Sequence, residues 1–204
     1  MKIDKYKAWD YFILVARFLL GWTFLRYGYG KLTDGQFGVS DEEMNTILKE
    51  LSPFRISWYL FEMQPFKAFI GISQIICGFL LVINRTAIIG AFIFLPIVIT
   101  ILIIDMTFMP PSLAESFTRR LLYYILLDFL ILWHYKEKMI KIWDAVWKNV
   151  NTKFKYPIGM YLFLPVLAFI LEFIPAIPSL IYYLFTEPEM LIDAFQSFWE
   201  MIFR

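Results

Sequence analysis

"ARFLLGWTFLRYGYGKL", Ala16 to Leu32, is the stretch that decides how the chain is to be read. It lies in an apolar run that opens at Tyr11 and is long enough to enter a bilayer, yet it carries Arg17 and Arg26. About 20 apolar residues cross a hydrocarbon layer of about 30 Å. A charge near the centre of such a span costs at least ~2.5 to 3.5 kcal/mol on insertion scales. A guanidinium retained there is expected to face a bundle interior, a cavity or an opposite charge.

The rest of the chain agrees with a membrane setting. Its 204 residues are 60% hydrophobic and 20% aromatic, with a mean hydropathy of +0.62, well above the apolar content of soluble domains. The expected fold is an all-α integral membrane protein: a four-helix transmembrane bundle, a fifth Pro-broken membrane segment and amphipathic interfacial helices. Spans are expected at about 11–27, 66–83, 86–104 and 119–135, with the loop 28–65 on the outer side. Residues 1–135 form the bundle in this reading. Residues 136–204 supply a cytoplasmic amphipathic segment, the fifth membrane segment at 158–185 and a C-terminal amphipathic helix at 187–203. Pro165, Pro175 and Pro178 interrupt the fifth segment, which leaves one crossing with an interfacial turn or a re-entrant hairpin. The basic N-terminus is followed by no small-residue cleavage signal, so the first span is expected to be retained.

Lysine and arginine set the expected orientation. The N-terminus, the turn at Arg85 and the segment after the fourth span hold ten of them, and the opposite loops hold six. Positive-inside bias then places the N-terminus in the cytoplasm. Arg119 and Arg120 are expected to snorkel at the outer end of span 4. Three non-spanning helices are also expected. Ser40 and Glu43 form a capping box ahead of a stripe of Met44, Ile47, Leu48 and Leu51. Met139, Trp143, Val146, Trp147 and Val150 make an apolar face among lysines, suited to an anionic leaflet. Thr186 and Glu189 suggest a second capping box, before Leu191, Phe195, Phe198, Trp199 and Ile202 on one face.

Several chemistries are excluded. The formal charge of +1 does not provide the basic surface of a nucleic-acid binder. A single cysteine, Cys77, forms no intrachain disulfide or CxxC pair, and a single histidine, His134, cannot ligate haem from both sides. No metal site and no cofactor held by the chain's own residues is expected. The candidate polar cluster is Arg17, Gln74, Tyr124 and Asp128, with Arg26, Lys31, Asp105 and Glu172 as secondary candidates. Arg17 and Asp128 lie at matching depths, about 9 Å and 10.5 Å from the cytoplasmic ends of spans 1 and 4 at 1.5 Å per residue. An Arg17–Asp128 ion pair, or a polar ligand site built on the same residues, is expected. Gly21 with Gly28, and Gly71 with Gly78, mark faces on which two helices approach closely.

These residues carry a resemblance. Arg17, Gly21, Gly28 and Lys31 in the first span, and Gly71, Gln74, Gly78, Arg85 and Gly90 in the following hairpin, resemble the pattern of the DoxX family of small membrane proteins over about residues 10–135. The long outer loop, the absence of the family's glycine-rich fourth-helix end, and about 70 further residues depart from that pattern. The resemblance implies a redox neighbourhood: a bacterial inner-membrane protein serving as an accessory or structural subunit of a membrane complex, with a quinone-linked oxidoreductase as the assembly implied. The alternative is a small enzyme or carrier that binds a quinone or lipid through Arg17, Gln74 and Asp128. A stand-alone transporter is the weakest reading, because neither inverted repeats nor paired broken helices stand out. The partners in either leading case are the lipid bilayer and other membrane proteins.

Overall fold

The computed structural model describes residues 4–33, 35–148 and 154–202. Among them the chain is helical, without strands, and it divides after Lys148 into two compact units.

The first unit is built on α1 (Lys5–Leu32), whose start is capped by the Asp4 side chain accepting from the Tyr6 amide. It contains no proline and ends at Thr33, so it runs well past the expected span, and Lys31 lies in its last turn. The short α2 (Asp41–Met44), a 3-10 turn (Leu48–Glu50) and α3 (Pro53–Glu62) follow. Next come α4 (Phe66–Val82), α5 (Ala87–Phe108) and α6 (Pro111–His134), and α7 (Lys136–Trp147) closes the unit. Four long helices form a ring in which α1 packs on α4, α4 on α5, α5 on α6 and α6 on α1. Ile13, Leu20, Phe24, Leu81, Phe94, Val98 and Ile131 fill its interior. The Phe24 and Phe94 rings meet there at 4.3 Å between centroids.

The most intimate contact is the α1–α4 seam. A Cβ placed on Gly28 would lie 2.6 Å from the Gly71 carbonyl oxygen, and one on Gly21 would lie 2.8 Å from that of Gly78. The obstruction is backbone, which cannot swing aside as a side chain can. Two pairs of glycines therefore set how closely these helices approach, as the spacing predicts. A similar contact holds the α4–α5 hairpin, where a Cβ on Gly90 would lie 2.7 Å from the Leu81 amide nitrogen.

The segment between α1 and α4 departs from expectation. The Ser40–Glu43 capping box forms, with the Glu43 carboxylate accepting from the Ser40 amide at 2.8 Å. The helix it starts nevertheless stops after Met44. Asn45 and Thr46 turn their side chains back onto the Asp41 and Glu42 carbonyls, each at 2.9 Å, and Ile47 is extended. Such local bonds compete with helix propagation. Met44, Ile47 and Leu48 consequently form no continuous stripe. The unexpected helix α3 begins with Ser52 as its cap and Pro53 in its first turn, a start signature present in the sequence. Helix α6 also begins eight residues before Arg119, so Arg119 and Arg120 sit within the helix, bonded to Glu115 and the Tyr27 hydroxyl. Arg119 pairs with Glu115 one turn earlier on the same helix, Arg120 reaches across to α1, and both side chains remain exposed.

Helix α7 is amphipathic as expected. Ile140, Trp143, Val146 and Trp147 are exposed, and the two indoles stack at 5.5 Å. Val150, the last residue of the expected stripe, lies outside the described residues.

The second unit comprises α8 (Ile158–Leu162), α9 (Leu164–Glu172), a 3-10 turn (Ile174–Ala176), α10 (Ile177–Thr186) and α11 (Pro188–Ile202). Prolines sit in the opening turns of these pieces, where a missing amide costs nothing. The second expected capping box does not form. Thr186 ends α10, its hydroxyl donating to the Tyr182 carbonyl at 2.8 Å, because Pro188 already begins the next helix. Of the expected α11 face, Trp199 is exposed, while the side chains of Leu191, Phe195, Phe198 and Ile202 lie outside the described residues.

Among the described residues, three helical stretches are long and apolar enough to cross a membrane: α1, α5 and Leu164–Thr186. The pair α3–α4, bent by 83°, would make a fourth. The protein is an all-α, multi-pass membrane protein.

Candidate functional site

The polar candidates of the first unit separate into three places. The first lies near the start of the bundle, around Arg17, whose side chain is 2% exposed. Its Nε donates to the Leu81 carbonyl at 2.9 Å and one terminal nitrogen to the Val82 carbonyl at 3.0 Å. The other terminal nitrogen donates to the Tyr135 hydroxyl at 3.2 Å. Leu81 and Val82 belong to the last turn of α4, where carbonyls lack helical partners and the helix dipole is negative. The guanidinium therefore caps α4. The expected Arg17–Asp128 pair is not formed, because α1 and α4 approach so closely at Gly21 and Gly78 that backbone oxygens reach the fork first.

The second place is the bundle interior. Gln74 of α4 and Asp128 of α6 are both fully buried, and neither the amide nor the carboxyl group bonds to any described residue. They join neither Arg17 nor each other by a hydrogen bond. The expected four-residue polar cluster is thus dispersed.

The third place is a cavity of about 680 Å³ at the opposite end of the bundle, within the range typical of small-molecule sites. Helix α1 lines it with Thr23, Arg26, Tyr27 and Lys31, which share one helical face at spacings of three, four and eight residues. Asp105 comes from α5, and Phe117, Arg120 and Tyr124 come from α6. Gln36, Phe54 and Trp58 of the connecting segment complete the wall. Lys31 is 5% exposed; its Nζ donates to Gln36 Oε1 at 2.8 Å and lies 5.3 Å from the Phe37 ring centroid. Asp105, also 5% exposed, interacts electrostatically with Lys31. Arg120 donates to the Tyr27 hydroxyl at 3.4 Å.

An ion pair holds the connecting segment together. The Arg55 guanidinium donates through two nitrogens to the two carboxylate oxygens of Glu43, and a terminal nitrogen also reaches the Gly38 carbonyl at 3.3 Å. Gly38 has φ of +107°, a left-handed turn that favours glycine. The Arg55 hydrogen bond, followed by that from the Ser40 amide, holds the Glu43 carboxyl down at about 2.

Of the eight candidates named from sequence, Arg26, Lys31, Asp105 and Tyr124 are brought together in the cavity. Arg17, Gln74 and Asp128 lie elsewhere in the same unit, and Glu172 ends α9 in the second unit. Sequence reasoning missed Arg120, read only as a snorkelling residue, and also Phe54 and Trp58. Their signal was the Ser52–Pro53 helix start, which brings an aromatic face to the end of α1.

Residues 12–106 match the DoxX family. An uncharacterized protein of Bacillus subtilis (strain 168), YwoB, is 37% identical over 93 residues, which cover 45% of this chain and 59% of that protein. The chain thus spans under two thirds of that relative's length. No solved structure matches it.

Proposed function

We propose, from the match of residues 12–106 to the DoxX family, that the bundle is a binding frame for an amphipathic small molecule, carried as a subunit of a membrane oxidoreductase assembly. The observation that carries this reading is the cavity at the end of α1. Its aromatic walls suit an apolar body, and its cationic groups can donate to a polar head. A quinone is the class suggested by the family resemblance, and a membrane lipid has the same amphipathic build. The chain's own residues offer binding and orientation: Lys31, Arg26 and Arg120 as donors, Tyr124 as a hydroxyl contact, and Phe54 and Trp58 as apolar walls.

Extraction into mild detergent, native mass spectrometry and organic extraction of the same sample test this. A co-purifying quinone or lipid, reduced when Trp58→Ala opens the wall, is the expected outcome. A ligand-free protein, or a ligand retained unchanged in that variant, would overturn the assignment of the site.

The protein is further proposed to sit in the bacterial inner membrane with its N-terminus in the cytoplasm, on the lysine distribution. In a Cys77→Ala background, an impermeant thiol reagent on whole cells should label Asn45→Cys and leave Lys148→Cys unlabelled. The inverse pattern would reverse the orientation.

A further inference from the structure

We propose that the ligand bound at the end of α1 carries an anionic head group of the phosphate class. The inference rests on the cavity being a ligand site and deepens that reading. Three cationic side chains, Arg26, Lys31 and Arg120, line one cavity, against the single carboxylate of Asp105. A neutral head would leave two positive charges uncompensated in a partly apolar chamber, whereas one or two negative charges would balance them.

The three cations are also held differently. Lys31 is buried at the base of the connecting segment, with a neutral amide oxygen of Gln36 as its hydrogen-bonding partner. A buried ammonium meets a large desolvation cost that a neutral acceptor offsets poorly, so an anion within reach is strongly favoured. Arg120, on α6, spends one nitrogen on the Tyr27 hydroxyl and retains donors for the planar, two-point contact that guanidinium makes with phosphate. Arg26 lies one helical turn from Gly30 on the same face of α1. Gly30 itself leaves open space beside the backbone.

Phe54, Trp58 and Phe117 meanwhile furnish apolar surface on the same chamber. That combination suits an anionic head attached to a hydrocarbon body, although free inorganic phosphate shares the head chemistry. The experiment separates the two sources.

Full-length purified protein in neutral detergent is titrated with short-chain phosphatidylglycerol, with phosphatidylcholine of the same tails, with a neutral short-tailed quinone and with inorganic phosphate. Binding is read by native mass spectrometry and by the shift in thermal midpoint. Phosphatidylglycerol should bind at least about tenfold more tightly than phosphatidylcholine or the quinone, as expected for one good charged contact. That preference should shrink as salt rises. Arg120→Gln should remove most of the preference, and Lys31→Gln should remove it more completely, each shift being read against that variant's own ligand-free midpoint. Phosphate binding as well as phosphatidylglycerol would support the anionic site with free phosphate as its source. Equal binding of the neutral amphiphiles would overturn the anionic head and leave the ligand cavity standing. Binding of none of the four would overturn both.

Discussion

The middle and the C-terminal end of α1 each bury a cation, and the contrast between them separates structure from function. Arg17 and Lys31 are 2% and 5% exposed, about 21 Å apart along the helix at 1.5 Å per residue. Arg17 is consumed by the protein itself, since its fork matches two successive carbonyls at the end of α4 and a tyrosine hydroxyl. Lys31 donates to one side-chain amide, interacts electrostatically with the Asp105 carboxylate and faces a chamber containing two further cations. A buried charge in a membrane helix is therefore informative only together with its partners. Where backbone oxygens satisfy it, it is a helix cap; where they do not, the space beside it is the place to seek a ligand.

The strongest way to break this comparison is to force α1 away from α4, which should dislodge the carbonyls that Arg17 reads. Gly28→Leu would drive a side chain into the Gly71 backbone, where even a Cβ lies 2.6 Å from the oxygen. It should cost roughly 3 kcal/mol or more, at the upper end of overpacking effects, seen as a large fall in the detergent-unfolding midpoint and in yield. Gly30→Ala is the matched control, because nothing lies near its added methyl. A Gly28→Leu protein as stable as the wild type would show that the seam is not held this tightly.

Removal of the cap comes next. Arg17→Met should destabilise by about 2 to 4 kcal/mol, since it strands the buried Leu81 carbonyl, the part-buried Val82 carbonyl and a hydroxyl. Lys31→Met should cost about 1 kcal/mol or less, because burying that ammonium is itself unfavourable. Equal losses at the two positions would erase the distinction between them. Asp128→Leu sharpens it from a third position. An interior carboxyl that bonds to no described residue contributes little, so its replacement should leave stability unchanged or raise it by about 1 kcal/mol. Its effect should add to that of Arg17→Met within about 0.5 kcal/mol, as for uncoupled sites. A strongly non-additive cycle would restore the ion pair that the structure lacks.

That absent ion pair shows where sequence reading stops. Helix positions, the glycine seam and the Ser40–Glu43 box were legible because each depends on local spacing. Counting residues inward from the expected span ends set Arg17 level with Asp128. Depth alone does not give direction around the bundle axis. The close approach at Gly21 and Gly78 brings α4 to Arg17, and it is a consequence of two helices meeting that neither helix displays by itself. The cavity was half legible for a similar reason. Arg26, Lys31, Asp105 and Tyr124 stood out as polar groups in apolar helices, whereas the α3 residues that complete the chamber come from a segment whose helix was misplaced by about a dozen residues. Side chains of Asn45 and Thr46, turning back on their own backbone, ended the expected helix before its apolar stripe could form.

The smallest expected effect concerns the segment that completes the chamber at the Lys31 end, and it follows from titration. Glu43 is held at about 2, against an ordinary value of 4.5, chiefly by the Arg55 hydrogen bond and then by the Ser40 amide. Arg55 is correspondingly shifted upward by the same bond. For a carboxylate whose folded value is depressed, the stabilisation is fully present above the unfolded value and disappears as pH falls through the folded one. The Glu43–Arg55 clamp should therefore be intact at pH 7 and weaken progressively between about 4.5 and about 2. Both side chains are about one-third exposed or less, at 30% and 27%, so salt should soften the effect. Amide exchange across residues 38–58, corrected for its intrinsic pH dependence, should show protection falling within that window while α1 and α4 remain protected. Glu43→Gln keeps the shape but removes the charge, so at pH 7 it should show the reduced protection that the wild type reaches only in acid, with little further change on acidification. Protection that stays level in the wild type down to pH 2, or that falls just as steeply in Glu43→Gln, would mean that the ion pair does not hold this segment and that Phe54 and Trp58 are positioned by apolar packing alone.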